Sequence, residues 1–383
     1  MRNRLIAAAA VLALAACGSP EPAADDSLPG GCDVVGPVVV ATGGRANMPA
    51  PTVEPIVRYL RSAAASGSEV TVVDTGGAPQ THGSVSFRAT AANEVAANEQ
   101  VKAAAQQLSS GIAATVASAE GAAPLEALDV AARHIHSASD AGTIVLMDSG
   151  LQTQGILDYT QKGMLGAEPT ELVDGVQRSG QLPDLTGVRV FVIGLGDTAA
   201  PQEPLDTASR RALVEQWTAL LSAAGASCVG VDPQPLTGAS PTVVPMVPTV
   251  SVPDVAPLVL SAKVVLTADT VAFMSDTAQL RDPELAKRKL ASVAAALVES
   301  GQSVLLTGTT ATDGTETGRL RLSRLRAEAV KVTLMELGVP ADRISTEGVG
   351  IHHPEHVDDL DAEGRLIPAR AARNRTVILT VEP

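Results

Sequence analysis

Between residues 33 and 232, short unbroken apolar runs alternate with stretches where apolar positions recur every three or four residues. The runs at 34–42, 68–77, 143–150, 188–198 and 228–232 predict strands. The periodic stretches at 52–67, 94–112, 123–138 and 209–226 predict helices. Thr52 is placed to cap the first of these, and Gly67 to stop it. The strand candidates are continuous Val/Ile runs rather than apolar–polar alternations, so both faces of their sheet must be covered. Regular alternation of strand and helix then predicts an α/β domain over residues 31–233, with a parallel sheet and helices on each side. Ligand sites in such sheets lie beyond the strand C-terminal ends, here 42–47, 74–77, 148–154 and 194–198.

The pattern breaks after residue 233. Seven prolines fall between 233 and 260, too densely spaced for a helix or a central strand. Residues 234–261 are therefore expected to be a linker. Beyond it the pattern reads strand (263–273), helix (282–299), strand (303–308), helix (317–337), strand (343–350) and strand (376–381). This predicts a second, α+β domain of βαβαβ type over 262–383. Charge supports the division: the chain carries a formal −14, nearly all of it before residue 262.

The first residues follow other rules. Arg2 and Arg4 precede an apolar stretch ending at Ala16, too short to span a bilayer and suited to a removable signal peptide over 1–16. Leu14-Ala15-Ala16-Cys17 resembles the lipobox of bacterial lipoproteins. That resemblance implies cleavage before Cys17, acylation of it (palmitate-type chains), and a membrane-anchored, extracytoplasmic lipoprotein of the cell envelope. Residues 17–30 are then a lipidated spacer. Cys32 and Cys228 remain, and two cysteines in an oxidising compartment are a candidate disulfide; the alternative is two buried thiols.

Composition excludes several functions. A hydrophobic fraction of 45% with 18% charged residues is incompatible with a disordered chain. The acidic balance argues against nucleic acid as a partner. One Trp, two Tyr and three Phe leave no stacking platform for bases or sugars.

The second domain resembles the OmpA-like domain, the peptidoglycan-associating module of bacterial envelope proteins. The resemblance rests on Val271, Phe273, Ala278 and Leu280, then LLTGTTATDG (305–314), LSRLRAEAV (322–330), GVPADRISTEGVG (338–350) and ARNRTVIL (372–379), in order over about 120 residues. It implies a zwitterionic ligand, the peptidoglycan stem peptide. In the family an arginine pairs with its carboxylate, a two-pronged, charge-assisted contact, and a loop aspartate pairs with its ammonium. By position the arginine is Arg326, whereas the aspartate falls on Ala311. Thr309 replaces the family histidine, Gly308, Thr310 and Gly314 match, and Asp313 and Glu316 are the nearest acidic alternatives. Arg319 stands in place of an asparagine, and Thr376 in place of a second arginine. The candidate peptidoglycan contacts are thus Arg326, Thr309, Thr310, Asp313 and Arg319. Read bare, Arg326 is equally a solvated helical arginine, part of a basic run with Arg319, Arg321 and Arg324.

The first domain resembles a von Willebrand factor A-like domain through VVVAT, TIVLMDSG and VRVFVIGLGD, with a generic Rossmann-like sheet as the alternative. That fold often holds a divalent cation at its strand ends. Here the first loop, residues 41–47, has no carboxylate and carries Arg45 instead, leaving Asp148 and Ser149 of the usual set. No metal site is expected there. His352, His353 and His356 beside Asp358, Asp359 and Asp361 lack a defined tetrahedral set. No dinucleotide fingerprint or nucleophile elbow is present, so neither catalysis nor a cofactor is expected. The expected function is lipid-anchored tethering at the envelope through noncovalent peptidoglycan association, with an unidentified envelope protein as second partner. The alternative, motivated by Ala311, is a module that has lost stem-peptide binding and docks proteins.

Overall fold

The computed structural model describes residues 28–239, 243–252, 258–268 and 270–382. The leader at 1–16, the lipidation candidate Cys17 and the spacer up to residue 27 lie outside the described residues.

The N-terminal sheet contains β1 (Val38–Thr42), β2 (Glu69–Val73), β3 (Thr81–Ser86), β4 (Gly142–Met147), β5 (Val188–Ile193) and β6 (Cys228–Asp232), in the order β3-β2-β1-β4-β5-β6. All neighbours are parallel except β2 and β3, which pair antiparallel. Val39, Ile144 and Val190 enter the core on one face, while Val38, Val145 and Phe191 enter it on the other. Burial on both sides explains the unbroken apolar runs. Helices α1 (Val53–Ser66) and α2 (Glu94–Ala113) cover the Val38 face; α3 (Pro124–Ala138), α4 (Pro169–Arg178) and α5 (Thr207–Ala223) cover the Val39 face. The sheet is mostly parallel rather than wholly so, because β3 is an edge strand whose six residues are all exposed.

Cys32 and Cys228 are disulfide-bonded, joining the start of the described chain to edge strand β6. Residues 243–252 of the proline-rich stretch pack along the N-terminal domain. Asn47 Nδ2 donates to the carbonyls of Val247 (2.9 Å) and Pro248 (2.8 Å), and the Val250 amide donates to Gln202 (2.6 Å). Val250 is itself buried in that domain's core.

The C-terminal sheet has the order β7 (Lys263–Leu266), β10 (Val377–Glu382), β8 (Ser303–Thr309), β9 (Ile344–Gly350), with β8 and β9 parallel and the rest antiparallel. Val304 and Leu306 point into the core and alternate with half-buried neighbours. One face is thus packed, by α6 (Pro283–Ser300) and α7 (Glu316–Glu336). The strand expected over 263–273 stops at Leu266; Phe273 makes only an isolated bridge with Leu280. A short helix, α8 (Pro368–Asn374), buries Ala369 and Ala372 in the core of the N-terminal domain, so the two domains pack against each other.

Candidate functional site

Arg326 is positioned by the seating of α7 on the sheet. Thr315 caps the helix, its hydroxyl accepting from the Gly318 amide (3.1 Å). Gly308 on β8 and Gly348 on β9 are register partners. A Cβ on Gly308 would meet the Ser323 carbonyl oxygen at 1.8 Å, and one on Gly348 the Arg324 amide at 2.3 Å. The two glycines therefore form a slot that lets the helix backbone lie directly on the strands. Ser323, Ala327 and Val330 line the sheet side of α7, and Arg326 is buried beside them.

The Arg326 environment is unusual for a guanidinium. The residue is 2% exposed. Its Nε donates to the Thr277 carbonyl (3.0 Å), and its Cζ lies 5.1 Å from the centre of the Phe273 ring. Among the described residues no carboxylate lies within ion-pair distance of it. Burial, reinforced by the charge of Arg375, lowers its pKa to about 10, against the opposing charges of Glu168, Asp276 and Glu171. An interior charge without an adjacent counter-ion is costly. Arg326 shares its cavity with Phe273, Arg281 and Arg375.

Of the five candidate contacts, only Arg326 lines this cavity. Thr309 is fully buried and donates to the Asn374 carbonyl (2.6 Å), which makes it part of the junction between β8 and the chain entering β10. Thr310 is buried with its hydroxyl unpartnered, and Ala311 is 3% exposed. Asp313 is exposed, its carboxylate accepting from the Gly314 amide; its charge reaches Glu171. Arg319 turns back to the Gly314 carbonyl (2.6 Å). Arg375, which sequence reasoning did not single out, sits inside the ARNRTVIL motif and grips Glu171 with both guanidinium prongs.

The histidines lie beyond this cavity. His353 is half-buried as a residue with its side chain 4% exposed, and its ring lies edge-on to His356 at 5.6 Å between centres. Asp359 is buried and accepts from the Thr312 amide (3.0 Å) and Asn374 Nδ2 (2.8 Å). Among the described residues no group of three or more His, Cys, Asp or Glu is placed to hold a metal ion.

The strand-end crevice of the N-terminal domain is occupied by its own side chains. Arg45 fills the space between the β1 and β4 ends and binds Asp148. Asp74 accepts from His82 (2.8 Å) and Ser118 (2.6 Å), and Asp197 pairs with Arg210 (2.7 Å) and accepts from the Leu236 amide (2.7 Å). Ser149 has no histidine hydrogen-bonded to it among the described residues.

Residues 272–363 match the model of the OmpA family, and the C-terminal part of this chain is an OmpA-like domain. Outer membrane protein A of Bordetella avium is 36% identical over 136 residues, which are 35% of this chain and 65% of that protein; the chain thus spans less than two thirds of that relative. Among solved structures, the peptidoglycan-associated lipoprotein from Burkholderia pseudomallei is 26% identical, covering 29% of this chain and 88% of that chain at a TM-score of 0.25. The cell wall anchor of the T6SS from Pseudomonas aeruginosa is 27% identical over 32% of this chain and 81% of that chain, also at 0.25. No helix among the described residues is long and apolar enough to cross a membrane.

Proposed function

We propose that this is a cell-envelope protein whose OmpA-like domain associates noncovalently with peptidoglycan. Its N-terminal domain, read as von Willebrand A-like, is carried on a lipid anchor at Cys17. The observation that carries the reading is the buried Arg326 guanidinium with no ion-pair partner, at the arginine of the LSRLRA motif. A stem-peptide carboxylate supplies the missing anion, and the planar fork of arginine fits it in a bidentate way. The family match over residues 272–363 supports the same ligand class. Anchoring at both ends gives tethering, in which two weak attachments reinforce each other through high effective concentration.

The test is retention of the full chain on purified peptidoglycan. Wild type is expected to exceed Arg326→Ala by about tenfold or more, the scale of a lost charge-assisted contact, with Arg326→Lys in between. Equal retention of wild type and Arg326→Ala defeats the proposal. Ala311 favours a second reading, in which the module docks protein instead of wall, because it provides no anion for the ligand ammonium. Wild type that is not retained at all, at any salt concentration, supports that second reading.

A further inference from the structure

The cover over Arg326 comes partly from the other domain. Leu165, Glu168 and Ser209 of the N-terminal domain line the same cavity as Arg326. Around its rim, Glu168 pairs with Arg281 (3.1 Å), Arg211 with Asp282 (2.9 Å), and Glu171 with Arg375. The C-terminal domain reciprocates by inserting Ala369 and Ala372 of α8 into the core of its neighbour. At Gly163 the fit is close enough that a Cβ would meet the Ala369 carbonyl oxygen at 2.3 Å.

We propose that the N-terminal domain is a lid on the wall-binding site, and that lid closure and peptidoglycan association exclude one another. This rests on the reading of Arg326 as the wall contact. A stem peptide hangs from a glycan polymer, so it reaches a guanidinium that is 2% exposed only if the covering domain moves away. Glu168 and Glu171 meanwhile supply negative charge to the field of Arg326 and Arg375, the field that a ligand carboxylate would otherwise neutralise. The lid is breakable from its rim: the Arg211–Asp282 pair is partly exposed, and such pairs are individually weak and screened by salt, whereas Glu168–Arg281 and Glu171–Arg375 are largely covered and yield to charge reversal rather than to salt. Linkage makes the coupling reciprocal: whatever opens the lid raises affinity for the wall, and wall fragments open the lid.

The experiment uses the full chain, reversing charge on the lid in one variant (Glu168→Lys with Glu171→Lys) and, in a second, at the exposed rim (Arg211→Glu). Two readouts are taken: retention on purified peptidoglycan, and amide hydrogen exchange at residues 164–167 and 272–281. Both variants are expected to exchange faster at both segments and to be retained several-fold better than wild type. Arg326→Ala in either background should remove the gain. Because Arg211→Glu adds negative charge and sits on an exposed side chain, its gain cannot come from added basic charge, and it keeps the test valid if the double variant misfolds. Faster exchange without better retention overturns the lid while leaving wall binding by wild type intact. Unchanged exchange and retention in Arg211→Glu, with the double variant also unchanged or misfolded, overturns it too. Reduced retention in the double variant overturns it in favour of Glu168 and Glu171 as ligand contacts. No retention by any chain removes the wall reading and the lid together.

Discussion

Arg45 and Asp148 meet through both prongs of the guanidinium, Nη1 to Oδ2 at 2.6 Å and Nη2 to Oδ1 at 2.8 Å, with 1% and 0% of their side chains exposed. The pair sits at the C-terminal ends of β1 and β4, where the strand order of the sheet reverses. This is the place where an open α/β sheet ordinarily presents its ligand crevice. With Arg45 seated in that crevice, the strand ends carry an internal strut there.

Removing one side of this strut leaves a buried charge unmatched. Arg45→Met should lower the stability of the N-terminal domain by about 3–5 kcal/mol, the usual cost of breaking a buried pair. The combined change Arg45→Met with Asp148→Leu should recover a large part of that loss, since an apolar pair of similar volume avoids desolvating either charge. Denaturant unfolding of the three variants and wild type checks this; additive losses would contradict it.

The slot under α7 makes a sharper demand on the C-terminal domain. Gly308→Ala places a methyl group 1.8 Å from the Ser323 carbonyl oxygen, a backbone atom that cannot swing aside. The helix must rise from the sheet, at a cost of about 3 kcal/mol or more. Retention on peptidoglycan should fall alongside, because Arg326 moves with the helix. A thermal melt and the retention assay, run together, separate this from a change that merely removes a contact.

Acid should weaken the C-terminal domain through His353. Burial, aided by the charges of His356 and Lys263, holds its pKa below the ordinary 6.5, and Glu355 lies only at the edge of ion-pair distance (3.7 Å). The unfolded chain takes up this proton first. The stabilising contribution is therefore complete above about pH 6.5 and is lost as pH falls through the folded-state value. Melting temperature measured from pH 7.5 downward should drop less steeply in His353→Leu than in wild type; parallel curves would rule His353 out as the cause.

The elements legible in the sequence are those whose burial leaves a local period. β1, β4 and β5 are buried on both faces and read as Val/Ile runs, and α6 and α7 come within a residue or two of their expected bounds. The elements that escaped are short or carry little apolar signal. β3, THGSVS, is an exposed edge. The α4 sequence PTELVDGVQR buries only Leu172, Gly175 and Val176, and α8, PARAARN, is seven residues whose apolar content is alanine and proline. Two of these missed helices carry part of the domain–domain contact: Glu171 lies on α4, and Ala369 and Ala372 on α8. A single segment does not record what packs against it from far along the chain. Arg326 was legible as a candidate only through its motif, since nothing in a basic helical stretch announces burial. The packing of residues 243–252 on Asn47 and Gln202 uses backbone carbonyls and amides, which leave no trace in a hydropathy pattern.

The Cys32–Cys228 bond closes a covalent ring around nearly the whole N-terminal domain, spanning 196 positions. A pull applied between the start of the described chain and the C-terminal domain runs from Cys32 across the sulfurs to Cys228, through β6, and out along the proline-rich stretch. The polypeptide between the two cysteines, five strands and all five of the domain's α-helices, lies off that load path. Tension can peel the edge strand, but it cannot draw out the enclosed sheet until the disulfide is reduced.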